Sequence, residues 1–227
     1  MRMGEGENRR IETGLSVKFR GIRGEEKALN LDNKTGGEMD YTEDLRSAVR
    51  TLSEGGVILY PTDTIWGLGC DATNKEAVDR IFRIKKRADS KSLIILVNGF
   101  VMLERYVNSV PEVAATILEV ADKPLTIIYP EGKNLADGIC SEDGSVGIRL
   151  CEEPFCNELI TRFRKPVVST SANLSGGISP FIFKEIDEKI INSVDYVVKY
   201  RQKDIKKYPP SSIIKVDNDG SLKIIRQ

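Results

Sequence analysis

From residue 42 onward, apolar and polar positions along this chain follow two rhythms. Short apolar runs bounded by turn residues predict strands at 57–60, 93–97, 125–129, 146–150, 166–170, 195–199, 212–216 and 222–226. Helical spacing predicts a first helix with Thr42 as N-cap, Glu43 and Asp44 in its first turn, and Leu45, Ala48, Val49 and Leu52 as its apolar stripe. Gly55-Gly56 ends it. Further helices fit 74–87, 111–120, 154–164 and 184–193, the first of them capped by Asn74 with Ala77, Val78, Ile81 and Phe82 buried. Strands that alternate with helices predict an α/β sheet covered by helices. The last two strands, joined by Asn218-Asp219-Gly220, read as a hairpin, so the sheet is expected to be mixed.

Residues 1–38 depart from this pattern. They hold seven of the 19 glycines, mixed charges and no sustained periodicity, which predicts a flexible N-terminal extension, with Met39 a candidate natural start. Residues 39–227 are expected to form one domain.

Composition narrows the chemistry. The 227 residues include no histidine, which removes Ser-His-Asp and Cys-His nucleophile systems and imidazole metal sites. The four cysteines, Cys70, Cys140, Cys151 and Cys156, form no CxxC pair and are expected to be reduced thiols. No apolar run approaches the roughly 20 residues needed to span a bilayer, and the N-terminus lacks a signal-peptide core, so a cytoplasmic protein is expected. Formal net charge is zero, yet residues 80–91, RIFRIKKRADSK, hold six basic residues and one acidic one.

Three polar clusters fall at predicted element ends: Thr62-Asp63-Thr64, Lys85-Lys86-Arg87, and the run from Ser169 to Gly177, STSANLSGG. In open α/β sheets ligands bind beyond strand ends. Hydroxyls, an amide and glycine backbone amides hold phosphate oxygens there, and lysine or arginine matches phosphate or carboxylate charge. Each cluster alone also fits a plainer role, as turn, loop or helix-dipole complement. Neither GxxxxGK[ST] nor GxGxxG is present. Asp63 reads as a turn residue, not a base.

Taken together, PTDTIWGLGCDA, IKKRADSKSLIILV, VGIRL and VVSTSANLSGG resemble the YrdC-like family of threonylcarbamoyl-AMP synthases, in order and spacing, from about residue 42 to the end. The resemblance implies a twisted sheet with a concave basic cavity. It implies a nucleotidyltransferase that makes threonylcarbamoyl-AMP and pyrophosphate from L-threonine, bicarbonate or carbon dioxide, and ATP with Mg2+. That product serves the modification of tRNA adenosine beside the anticodon, with hand-off to a tRNA threonylcarbamoyl transferase complex.

The family signature KxR…SxN falls on Lys85, Arg87, Ser171 and Asn173, which implies ATP-phosphate contacts there, with Lys85 and Arg87 catalytic and Ser169 beside them. Thr62, Thr64 and Arg149 are implied to hold threonine or the adenylate. PSSIIKV places a hydroxyl at Ser211 or Ser212, and Arg226 matches an arginine directed toward the nucleotide. Trp66 stands where the family often has tyrosine, so a bulkier pocket wall without a hydroxyl is expected. Two other readings remain open: a module that binds tRNA or double-stranded RNA through residues 80–91, and a carbamoyl-adenylate enzyme of the kind found in hydrogenase maturation proteins.

Overall fold

A computed structural model describes residues 41–86 and 93–227. The expected N-terminal extension, the family-matched Arg87 and the basic residue Lys91 therefore lie outside the described residues. The described strands are β1 (Ile58–Tyr60), β2 (Gly67–Gly69), β3 (Ile94–Val97), β4 (Leu125–Tyr129), β5 (Val146–Leu150), β6 (Val167–Ser171), β7 (Tyr196–Val197), β8 (Ser212–Val216) and β9 (Leu222–Arg226). The helices are α1 (Thr42–Ser53), α2 (Lys75–Lys85), α3 (Phe100–Leu103), α4 (Glu112–Val120), α5 (Pro154–Phe163) and α6 (Glu188–Ile191), with a 3₁₀ turn at Phe183–Glu185.

The strands join in one mixed sheet in the order β7-β1-β2-β6-β3-β5-β4-β8-β9. Pairing is parallel at β7/β1, β3/β5 and β4/β8, and antiparallel at the other five contacts. The helical amphipathicity that the sequence predicts explains how the sheet is covered. Leu45, Ala48 and Leu52 of α1 and Phe155, Leu159 and Ile160 of α5 are buried in one cluster with Ile58, Leu59, Ile95 and Leu96 of the strands. Among the described residues no helix is long and apolar enough to cross a membrane.

Local chemistry sets the helix ends. Asn74 accepts from the Ala77 amide and caps α2 as expected. After α1 the chain turns at Gly55, whose φ is +78°. The Gly55 and Gly56 amides donate back to Leu52 and Thr51, a Schellman ending. At the other end of α1 the sequence expectation is corrected: Tyr41 is the N-cap and Thr42 is the first helical residue. The expected helix at 184–193 is also corrected. Ile186 adopts an extended backbone (φ −77°, ψ 130°), and only the single turn α6 follows, capped by Asp187 through the Lys189 amide.

Strand β2 is not expected from the sequence, because Gly-Leu-Gly reads as a loop. The structure shows why glycine sits there. A Cβ on Gly69 would lie 2.6 Å from the Tyr60 ring and 3.0 Å from the Val168 carbonyl. Gly69→Ala is therefore expected to cost about 1–3 kcal/mol by overpacking. An unchanged midpoint in urea denaturation would show that this contact is not tight.

Candidate active site

Pro61 ends β1, and the next three residues fold into a hydroxyl-closed turn. The Thr64 amide donates to Thr62 Oγ1 at 3.1 Å, the Thr62 hydroxyl donates to the Ile65 carbonyl at 2.8 Å, and the two threonine hydroxyls lie 3.0 Å apart. Thr62 is almost fully buried, and its hydroxyl is spent inside the turn. Thr64 is the one of the pair that faces the cavity bounded by β5, β6 and β9.

Arg149 reaches this turn from β5. Its Nη1 donates to Thr64 Oγ1 at 3.2 Å, and its Nη2 lies 3.0 Å from Asp63 Oδ1. Both partners are largely buried, with side-chain exposures of 5% and 16%. Burial pushes the Asp63 carboxyl above its ordinary range, against the pull of the Arg149 guanidinium. Arg149 Nε is buried and has no hydrogen-bond partner among the described residues.

Strand register carries this wall outward. Arg149 pairs with Thr126, Thr126 with Ile213, and Ile213 with Arg226. Arg226 Nε and Nη2 donate to the Ser211 carbonyl at 2.9 and 2.8 Å, and Ser211 Oγ lies 2.9 Å from Thr126 Oγ1. Of the two serines left open by the sequence, Ser211 lines the cavity, whereas Ser212 begins β8. Burial and the nearby Arg149 charge both lower the Arg226 pKa.

The opposite wall is β6 and its loop. Ser171 Oγ bonds Asn173 Oδ1, and Asn173 Nδ2 donates to the Leu174 carbonyl at 3.0 Å and the Gly177 carbonyl at 2.7 Å. Lys85, at the end of α2, is buried. Its Nζ donates to the Ser171 carbonyl, to the Asn173 carbonyl at 2.7 Å and to Asn173 Oδ1 at 3.4 Å. The Ser175 amide returns a bond to the Lys85 carbonyl at 2.9 Å. The ammonium thus ties the loop from below and is not among the residues lining the cavity.

These walls enclose a cavity of about 230 Å³ whose lining includes Thr64, Arg149, Ser169, Ser171, Ser211 and Arg226. Trp66 forms part of the wall and is itself buried, tilted against Phe183 with ring centroids 5.0 Å apart. Ser179 also lines the cavity and is not singled out by the sequence. The signal for it is slight: one small hydroxyl just after Gly176-Gly177. Among the described residues no group of three or more Cys, Asp or Glu side chains could hold a metal ion. The chemistry on offer is neutral oxygen donors and two guanidinium groups, suited to anions.

Comparison with known proteins bears on this geometry. The family model Sua5/YciO/YrdC, described as "Telomere recombination", matches residues 50–227. The threonylcarbamoyl-AMP synthase of Pseudoalteromonas translucida is 33% identical over 157 residues, 68% of this chain and 84% of that one. That of Vibrio cholerae is 32% identical over 192 residues, 83% of this chain and 100% of that one. The crystal structure of P. abyssi Sua5 complexed with L-threonine superposes with a TM-score of 0.70 at 25% identity. It covers 79% of this chain, and this chain spans about half of it, 52%.

Proposed function

The chain belongs to the Sua5/YciO/YrdC family, and from that premise we propose that it is an L-threonylcarbamoyladenylate synthase, joining L-threonine, bicarbonate or carbon dioxide, and ATP. The observation that supports this most directly is the single cavity that gathers Thr64, Arg149, Ser169, Ser171, Ser211 and Arg226 from five separate parts of the chain. Such an assembly suits a pair of anionic substrates, one bearing a carboxylate and the other a triphosphate.

The chemistry needs placement and charge neutralisation more than a side-chain base. The threonine amine adds to carbon dioxide and gives its proton to solvent, leaving a carbamate; from bicarbonate the same N–C bond forms as water leaves. A carbamate oxygen then bonds to the α-phosphorus of ATP as the α–β phosphoanhydride bond breaks, and pyrophosphate leaves with that electron pair. Ser169 and loop amides hold phosphate oxygens, and the Ser171 hydroxyl, donated to Asn173 Oδ1, fixes the loop that presents them. Arg226 and Ser211 face the nucleotide. Arg149 and Thr64 orient threonine and then the adenylate, with Thr62 shaping the turn. Lys85 acts by fixing the Ser171–Asn173 loop, and Arg87 supplies charge to the phosphates. Holding the reactants together lowers the barrier by up to roughly 7–11 kcal/mol, and fixed positive charge adds to that as the leaving group develops.

No carboxylate lines the cavity among the described residues, so the protein supplies no magnesium ligands of its own there; magnesium would enter with ATP and neutralise phosphate charge. The product is then handed to a tRNA-modifying transferase complex. No observation favours the RNA-binding reading. Within residues 80–91, Arg80 pairs with Asp195 and donates to the Ser193 carbonyl at 3.1 Å, and Lys85 is buried, so two of the six basic groups are committed internally.

The test is pyrophosphate release from ATP with magnesium, omitting L-threonine and bicarbonate in turn. Release that requires both is the expected result. Release independent of threonine would overturn the assignment.

A further inference from the structure

The Thr62–Thr64 turn is gripped from outside the cavity as well as within it. The Cys156 thiol, on α5, donates to the Pro61 carbonyl at 3.1 Å. Arg201 Nη1 donates to the Thr62 carbonyl at 2.9 Å. Arg201 is held unusually firmly for a residue in a connecting segment. Its backbone is left-handed, with φ at +63°, a region that a non-glycine side chain enters at a cost. Its Nε donates to Asp204 at 2.8 Å, its Nη1 lies 3.7 Å from Glu153, and its guanidinium packs over the Tyr208 ring at 5.4 Å. Glu153 is in turn fixed by accepting from the Cys156 amide at 2.8 Å.

Arg201 is not among the residues lining the substrate cavity, but lines a small neighbouring one with Thr62 and Thr64. One residue beyond the carbonyl it holds is Asp63, the partner of Arg149, and two residues beyond is Thr64, on the cavity wall. We propose that Arg201 is a positioning residue for the amino-acid substrate: through the Thr62 carbonyl it sets where the Thr64 hydroxyl and the Asp63–Arg149 pair stand, and so the affinity for L-threonine. This deepens the synthase reading and rests on it. Among the described residues no hydrogen bond or ion pair joins Arg201 to the ATP wall on β6 and its loop, so the effect falls on one substrate and spares the other.

The left-handed backbone offers a direct test, because glycine adopts it without strain. Arg201→Gly removes the guanidinium and leaves the chain path free to persist. Losing one charge-assisted hydrogen bond from the turn is expected to raise the KM for L-threonine by about tenfold, with the KM for ATP within about twofold. Asp204→Asn, an exposed change that loosens Arg201 Nε, is expected to raise the threonine KM less, in the same direction. An unchanged threonine KM in Arg201→Gly would overturn the proposal. So would an equal rise for both substrates together with a lowered unfolding temperature, which marks a merely structural role. If the unaltered protein releases pyrophosphate without needing threonine, the synthase reading fails first and this inference falls with it.

Discussion

Arg149→Met is expected to lower turnover by at least about a hundredfold and to destabilise the fold by about 3–5 kcal/mol. Two separate losses add up in this one change. The cavity loses a guanidinium that lines it and that holds the Thr64 hydroxyl at 3.2 Å. Asp63 loses the partner 3.0 Å away that offsets its burial. The two effects come apart in a double variant. Arg149→Met with Asp63→Asn removes the stranded carboxylate, so stability is expected to return toward that of the unaltered protein while turnover stays low. Guanidinium denaturation and a pyrophosphate assay read the two quantities independently. Near-normal turnover in Arg149→Met would remove Arg149 from the substrate site.

Lys85→Ala carries the second large effect. Sequence resemblance alone predicts loss of adenylate formation with an intact fold. The structure changes half of that expectation. The Lys85 ammonium bonds the Ser171 and Asn173 carbonyls beneath the β6 loop; the Ser171 carbonyl also accepts from the Asn173 amide at 2.9 Å, so alanine strands the Asn173 carbonyl. A loss of about 1–3 kcal/mol in stability is expected alongside a drop in turnover of about a hundredfold or more, the cost of one buried acceptor left without a partner. A variant that keeps full stability and loses only activity would show instead that Lys85 swings to the phosphates. The expectation of lost turnover with an intact fold still holds for Arg87→Ala, where it rests on the resemblance alone.

What could be read from sequence and what could not divide along physical lines. Five-residue apolar runs such as LTIIY and VGIRL carry their own strand signal, and β4, β5, β8 and β9 fall on the predicted residues. Asn74 announces its helix because a cap is a local interaction. Strand β2 stays hidden because its residues become a strand only through Tyr60 and Ser171, neighbours that local sequence does not reveal. The helix expected at 184–193 fails for a related reason: Ile186 sits at helical spacing yet is drawn into an extended backbone. At the site, residue types point to anion chemistry, and the structure brings Thr64, Arg149, Ser169, Ser171, Ser211 and Arg226 together. It sets Thr62 and Lys85 behind the wall. The roles of Asp63 and Arg201 depend on contacts 86 and 139 positions apart along the chain, which no spacing rule reaches.

The strand order has a consequence in time. Thr64 and Arg226 line the same cavity although 162 positions separate them, the difference between 226 and 64. The strands between them pair across long intervals: β2 with β6, and β4 with β8. Chains dominated by such remote pairing fold slowly, in about milliseconds to seconds, because loop closure precedes the contacts that reward it. A partly folded chain holds some helices and hairpins, but not this cavity. In refolding, ligand binding should therefore lag behind the recovery of the circular-dichroism signal, and the first molecules able to bind ATP will be those that have finished folding.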